Sequence, residues 1–120
     1  MLSVAPGVKI FLYAEAADLR RGYDGLAALV QETMGEDPLS GSLFLFLNKR
    51  ANRLKLFYWD RDGYAIWMKR LQSGSFEWPA RHSADSPSVK LTAAELSLIL
   101  EGIELASVRR RRRFELRPAG

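Results

Sequence analysis

The stretch SLFLFLNKRANRLKLFYWDRDGYAIWMKRL, residues 42–71, decides the fold. It contains three short runs of aliphatic and aromatic side chains, and each run has the length and composition of a β-strand. The polar segment 48–53 separates the first two runs. The tetrapeptide Asp-Arg-Asp-Gly at 60–63 separates the second two, with the Asp and Gly placement of a tight hairpin. The pattern predicts an antiparallel β-meander with strands at residues 42–47, 54–59 and 64–71.

Upstream of the meander, the sequence predicts a strand at residues 8–13 and then an amphipathic helix. Asp18 occupies the position of a helix N-cap, and apolar side chains follow it at spacings of three and four residues. We expect a helix of about four turns, closed by Gly35 and broken by Pro38. The stripe consists of Leu19, Tyr23, Leu26, Val30 and Thr33, widened by Leu29 and Met34.

Downstream of the meander, the sequence predicts a polar loop and a second helix. Residues 76–78 are a candidate for one more short strand, and residues 80–90 are expected to be loop. Thr92 and Glu95 then form the pattern of a capping box. Leu91 and Leu96 are spaced as a hydrophobic staple, Gly102 is placed to end the helix, and the apolar face is Leu96, Ile99, Leu100 and Ile103.

These elements predict an α+β fold. A small antiparallel β-meander sheet would pack against an N-terminal amphipathic helix and a C-terminal helix, followed by a basic C-terminal tail. The predicted division is a single domain at residues 1–105 and an arginine-rich tail at 106–120. The length of 120 residues and the hydrophobic fraction of 48% suffice for one packed core.

Composition also limits the classes of function. The chain has no cysteine, which excludes a disulfide framework, a thiolate zinc site and a nucleophilic thiol. Its apolar runs are far shorter than the about 20 residues that span a bilayer. The N-terminus lacks the layout of a signal peptide. We therefore expect a cytoplasmic protein with no membrane partner and no cofactor.

The formal net charge of +4 is distributed unevenly. Residues 1–48 and 71–104 carry −3 each, whereas residues 49–70 and 105–120 carry +5 each. Two basic segments on an acidic body favour an anionic partner, most often nucleic acid.

The sequence contains no recognisable catalytic motif. His82 lies in the predicted polar loop without a second histidine at metal-binding spacing, and neither a glycine-rich phosphate loop nor a GxSxG elbow occurs. A nuclease that uses Asp18, Asp60 and Asp62 with magnesium is a further alternative. Helix capping accounts for the first of these residues and a turn for the other two, so we predict no catalytic or metal site.

The predicted hairpin at residues 48–53 is the first candidate for phosphate contact. Its tip carries Lys49, Arg50 and Arg53, and its asparagines could add polar contacts. A solubilising turn is the alternative. Strand alternation places Lys55 on the same face as Phe57 and Trp59. That face is either a surface on which bases stack or, as we favour, aromatic core with the lysine at its rim.

Three further basic groups occur. Arg20 and Arg21 would oppose the dipole of the predicted helix, unless they pair with Asp24. The side chains of Lys69 and Arg70 should point to opposite sheet faces, so at least one is expected to pair with an acidic neighbour. The arginine run in the tail suits nonspecific binding to nucleic acid or docking on an acidic protein surface. The predicted nucleic-acid-binding residues are Arg20, Arg21, Lys49, Arg50, Arg53, Lys55, Arg109, Arg110, Arg111, Arg112 and Arg113.

Four motifs occur in order along the chain: DLRRGYDGL at residues 18–26, FLNKRANRLKLFYWD at 46–60, KRLQSGSFEWP at 69–79, and LTAAEL at 91–96. With these motifs the sequence closely resembles the small accessory protein (Orf2-like, TnpB type) of the insertion-sequence-sixty-six family of bacterial transposable elements. The likeness covers about residues 5–105. The arginine run at 109–113 is longer than the one or two arginines usual there in the family.

The resemblance implies a protein encoded beside a separate DDE-type transposase and needed for efficient transposition. It implies no catalytic residues in this chain. Two hypotheses remain: an accessory factor that binds DNA through its basic residues, or an adaptor that bridges the transposase or another element-encoded protein without touching DNA. In the adaptor, the exposed part of the aromatic meander would be the interface.

Overall fold

The computed structural model describes residues 4–79 and 85–101, in which a five-stranded mixed sheet carries one helix on each face. The first helix, α1, spans Tyr23–Ala28 and continues directly into a π-helical turn, Leu29–Thr33. The second, α2, spans Ala93–Glu101. The strands are β1 Ile10–Tyr13, β2 Leu43–Leu47, β3 Arg53–Asp60, β4 Gly63–Arg70 and β5 Ser88–Leu91.

The strand order is β4-β3-β2-β1-β5. The predicted meander is confirmed, because β2 pairs antiparallel with β3 and β3 pairs antiparallel with β4. A purely antiparallel sheet was the wrong expectation. β1 runs parallel to β2, with Phe11 opposite Phe44, since the helical segment between them crosses over one face of the sheet.

The strand β5 contradicts the prediction of a loop throughout residues 80–90. It forms the sheet edge beside β1 and pairs Val89 with Leu12 and Leu91 with Ile10. Residues 80–84 lie outside the described ranges. The candidate strand at residues 76–78 is not one, although the side chain of Phe76 is buried in the core.

The two sheet faces build two separate cores. The strand β2 has the sequence LFLFL. Its leucines point to the face that packs against α2, which we call the α2 face, and they belong to the same core as Leu96 and Ile99 of that helix. Its phenylalanines point to the other face, which we call the α1 face, and they belong to the same core as Leu26 and Val30 of the first helical segment. Both faces are covered, so this strand is apolar at every position, which is typical of a central strand between two helical layers.

The start of the first helix differs from the prediction. Asp18 is not its N-cap; α1 begins at Tyr23, and Gly22 occupies the cap position with no side-chain hydrogen bond. The Asp18 carboxylate instead accepts the backbone N–H of Arg20 at 3.0 Å, which is a local turn that competes with helix capping. Arg20 and Arg21 therefore precede the helix, and the helix dipole does not oppose them in the way that we expected.

The helix ends agree better with the sequence. The first helical segment stops at Gly35, which adopts a left-handed φ of 68°, as expected for a closing glycine. At α2, the backbone N–H of Thr92 donates to Glu95 Oε1 at 2.9 Å, and the N–H of Glu95 donates to Thr92 Oγ1 at 3.1 Å. These reciprocal bonds confirm the capping box. Gly102 and the whole predicted tail lie outside the described residues. No helix in the described part of the chain is long and apolar enough to cross a membrane.

Candidate nucleic-acid interface

The loop between β2 and β3 is organised by the side chain of Asn48. Its amide oxygen accepts the backbone N–H groups of Asn52 and Arg53 at 3.0 and 2.9 Å. Its amide nitrogen donates to Asn52 Oδ1 at 2.8 Å. The asparagines expected to add polar contacts to phosphate are thus engaged in holding the loop, while Lys49 and Arg50 are exposed at its tip.

The same loop is fixed by the segment that follows β4. Ala51 is buried and has a left-handed φ of 53°. Its carbonyl accepts the N–H of Phe76 at 2.6 Å, and the carbonyl of Asn52 accepts the N–H of Leu71 at 2.8 Å. These bonds offset the strain of a non-glycine residue in that conformation. The loop therefore presents its cations from an ordered backbone.

The pairing of β3 with β4 brings cations together on the α1 face. Arg53 lies opposite Arg70, and Lys55 lies opposite Met68. Strand alternation places all four side chains on the face that also carries Phe57 and Ile66. Arg70, which the sequence reasoning did not include among the binding residues, therefore lies beside Arg53. The tight turn at residues 61–62 fixes this register, so counting back from it along both strands would have found the pair.

Lys69 points to the opposite face, as predicted for neighbouring residues in a strand. Its ammonium group donates to the carbonyl of Leu100 at 2.8 Å, near the end of α2. The carbonyl end of a helix carries partial negative charge. This lysine therefore has the end of a helix as its partner. We expected an acidic partner for at least one of Lys69 and Arg70, and Lys69 does not have one in this bond.

Lys55 ties the sheet to the segment before α1. Its ammonium group donates to the carbonyl of Arg21 at 3.0 Å, which holds that segment beside β3. The stem of Arg21 also lies close to Gly25, where an added Cβ would come within 3.1 Å of the arginine Cβ. Between this segment and the hairpin lies an open groove of about 420 Å³. The groove is lined by Leu19, Arg53, Leu54, Lys55, Met68, Lys69 and Arg70, and we call it the cationic groove.

The aromatic side chains beyond Lys55 belong to the core. Phe57 is fully buried, and its ring lies 4.9 Å from that of Tyr64. Trp59 is half-buried and meets Tyr64 edge to face at 5.1 Å. The core-packing interpretation is therefore confirmed for Phe57, which is not available for base stacking.

Arg20 forms an ion pair with Asp18. Its guanidinium Nη2 lies 2.7 Å from Asp18 Oδ2, so its partner is this residue and not Asp24. The side-chain hydrogen bonds from Arg20, followed by the bond from its backbone N–H, lower the pKa of Asp18 to about 2. The positive charge of Arg20 is thus locally balanced.

Tyr13 lies on the α1 face near Arg21. Burial raises the pKa of its phenol, and the carboxylate of Glu15, which accepts the hydroxyl at 3.2 Å, raises it further. The charge of Arg21 acts in the opposite direction. The phenol therefore stays neutral near pH 7 and adds no negative charge to this part of the surface.

The three aspartates considered as a metal site are separated. Asp60 is the last residue of β3 and Asp62 lies in the two-residue turn that follows it, at the opposite end of the hairpin from Arg53 and Arg70. Asp18 is engaged by Arg20. Across residues 4–79 and 85–101 there is no group of three His, Asp or Glu side chains placed to hold a metal ion. His82 lies outside these residues.

The structure thus brings together part of the predicted set. Arg53 and Lys55 lie on one face at one end of the sheet, joined by Arg70. Lys49 and Arg50 extend from the adjoining loop, and Arg21 reaches this group through its backbone carbonyl, which accepts the ammonium of Lys55. Arg20 is directed to Asp18. The five tail arginines, Arg109, Arg110, Arg111, Arg112 and Arg113, lie outside the described residues.

The fold and the candidate site together define a small α+β protein that presents clustered cations at one end of a mixed sheet. The chain belongs to the IS66 Orf2-like protein family, whose model matches residues 8–110. This is an accessory family, and it associates the chain with the transposition of an insertion sequence.

Two relatives come from Sinorhizobium fredii (strain NBRC 101917 / NGR234). The chain is 33% identical over 111 residues to "Uncharacterized protein y4jC", an alignment that covers 92% of each chain. It is 35% identical over 104 residues to "Uncharacterized protein y4hO", with 87% of this chain and 88% of the relative covered. No solved structure matches the chain significantly.

Proposed function

We propose that this protein is a non-catalytic accessory factor that binds DNA during the transposition of an insertion sequence. The observation that carries the proposal is the placement of Arg53 and Lys55 on one face at one end of the sheet, beside the exposed loop tip that bears Lys49 and Arg50. Phosphate contacts from lysine and arginine supply most of the affinity of sequence-independent DNA binding. The transposase of the element would supply the chemistry.

A salt series tests this proposal directly. The full chain is titrated with labelled duplex DNA, of terminal-repeat and of random sequence, at increasing salt concentration. We expect binding at low salt that weakens steeply, because each neutralised phosphate releases condensed counterions. Absence of binding to either DNA at low salt would refute the proposal.

Charge reversal at the loop tip refines the test. The double variant Lys49→Glu/Arg50→Glu should bind DNA more weakly and with a shallower salt dependence, because two phosphate contacts become repulsions. Lys9→Glu/Lys90→Glu changes the net charge equally at positions outside this end of the sheet and is the matched control. Equal loss in both double variants would indicate a general charge effect and not a site.

A protein-bridging role is the second candidate. The observation that favours it is β4, which forms one edge of the sheet and carries the 66%-exposed side chain of Met68. Exposed strand edges and apolar side chains are common features of protein interfaces. Co-purification with the transposase that survives Lys49→Glu/Arg50→Glu, together with no DNA binding by the wild-type chain, would favour this role.

A further inference from the structure

We propose that the cationic groove is a binding site for the phosphodiester backbone of a DNA strand, in which Arg53 and Arg70 together bind one phosphate. This proposal rests on the proposed DNA-binding function and assigns its contact point. It makes Arg70 a binding residue. It also assigns the apolar part of the contact to Met68 and Leu19.

The first argument is the like-charged pair. Arg53 and Arg70 are directly opposite in the β3–β4 ladder, and both are exposed. Like charges at opposing positions of a sheet repel each other and destabilise the pairing. An anion between the two guanidinium groups replaces that repulsion with two attractions. Guanidinium also matches phosphate oxygens with paired hydrogen bonds better than ammonium does.

The second argument is the third cation. Lys55 shares the face with the arginine pair, and its ammonium group is held by the carbonyl of Arg21 at 3.0 Å. Only one of its three protons is used in that bond, so, as far as residues 4–79 and 85–101 are concerned, two N–H donors are left over for phosphate oxygens. Because the lysine is already held in place by a backbone acceptor, little side-chain entropy is lost when an anion binds.

The third argument is the shape and lining of the groove. Its volume of about 420 Å³ is within the range of clefts that accept small ligands. Leu19 and Met68 give it an apolar wall, and Met68 is 66% exposed. Two residues from Lys55, Phe57 is fully buried beneath α1. The uncovered end of the sheet therefore combines cations with an apolar surface suited to a deoxyribose or base edge.

Charge complementarity selects nucleic acid as the occupant. Of the seven lining residues in the part of the chain that the structure describes, four are cationic and none is acidic. The aspartates of the same hairpin lie at its other end, at the last residue of β3 and in the turn that follows. A strand of phosphates spaced along a backbone matches a row of cations at strand spacing better than a single carboxylate does.

The test measures DNA affinity for Arg70→Gln against Arg61→Asn in the full chain. Both variants remove one arginine charge from the β3–β4 hairpin, but Arg61 lies in the turn at the far end, and asparagine tolerates its left-handed φ of 59°. We expect Arg70→Gln to weaken binding to short labelled DNA about tenfold, as for the loss of one charged hydrogen-bonding contact. The slope of log affinity against log salt should fall by about one. Arg61→Asn should bind as the wild type does.

A second readout is independent of any variant. The ε-methyl group of Met68 should shift in the NMR spectrum when DNA is added, whereas that of the buried Met34 should not. If the wild-type chain binds no DNA, the proposed function fails, and this inference fails with it. If the wild type binds but Arg70→Gln binds equally well, or the Met68 methyl does not move, the groove assignment alone is overturned and DNA binding stands.

Discussion

Arg53 and Arg70 face each other across the β3–β4 ladder, so the hairpin carries two like charges at its open end. We predict that Arg70→Glu stabilises the folded protein by about 0.2–1 kcal/mol, because an opposite-charge pair replaces a repulsive one. Urea unfolding of the full chain measures the change. The same substitution should abolish the groove's contact with phosphate, so stability and DNA affinity should move in opposite directions.

The matched control for that pair is a charge-reversal cycle. Arg53→Glu alone should stabilise as Arg70→Glu does, whereas Arg53→Glu/Arg70→Glu should lose the gain, because two carboxylates then face each other. A double variant more stable than either single one would mean that net charge, not the pair, sets the effect.

The loop that bears Lys49 and Arg50 depends on Asn48. We predict that Asn48→Ala lowers the free energy of unfolding by about 2–3 kcal/mol, since three hydrogen bonds at about 1 kcal/mol each disappear. Lys49→Ala, one residue along and exposed, should change it by less than about 0.5 kcal/mol. Urea denaturation of the two variants provides the comparison. Similar midpoints would contradict the structural role of the asparagine.

The sequence predicted those parts of the fold whose patterns are local. The Asp-Gly turn and its flanking apolar runs specify the β3–β4 hairpin, and the capping box specifies the start of α2, because each is decided by neighbouring residues. The strand β5 was missed. It offers only Val89 and Leu91 as buried apolar positions, and its pairing with β1 is a tertiary contact.

The residues of the candidate site were also predictable only where a local pattern identifies them. Alternation placed Lys55 on the face of Phe57, and the loop pattern pointed to Arg53, but Arg70 needed the register of the hairpin as well. The prediction that Asp18 caps the first helix was wrong, because an aspartate before an apolar stripe can either cap a helix or close a local turn. Its contact with Arg20 decided between them.

The ion pair between Asp18 and Arg20 predicts an unusually acidic carboxyl group. The pKa of Asp18 is about 2, below the ordinary 3.8, so the charged form is favoured in the folded state. Any stability from the pair is present above the ordinary pKa and is lost as the pH falls through about 2. We predict that Arg20→Gln returns the pKa of Asp18 towards 3.8, measured by NMR titration of the carboxyl carbon.

Arg21→Gln is the control for this titration. Arg21 is the last of the groups that lower the pKa of Asp18, after the two hydrogen bonds and the charge of Arg20, so its removal should change the value much less. Equal changes in the two variants would show that the general positive field, and not the bond to Arg20, keeps the carboxyl ionised.

The capping box at α2 predicts a measurable loss of stability in Thr92→Ala. The hydroxyl accepts the N–H of Glu95 at 3.1 Å, and its removal leaves a first-turn donor of the helix without this acceptor. We expect a loss of about 1 kcal/mol in the free energy of unfolding, the usual effect of removing a threonine cap. Ser97→Ala, at an exposed position inside the same helix, should change stability by no more than about 0.5 kcal/mol, and in the favourable direction, because alanine has the higher helix propensity.

The helix α2 should unfold together with the sheet, because its Leu96 and Ile99 close the core on the α2 face. The loss of stability in Thr92→Ala should therefore appear in the global unfolding transition, in which the near-UV circular dichroism and the helical signal change together. A helical signal that is lost at lower urea than the rest would instead show that α2 unfolds separately from the sheet.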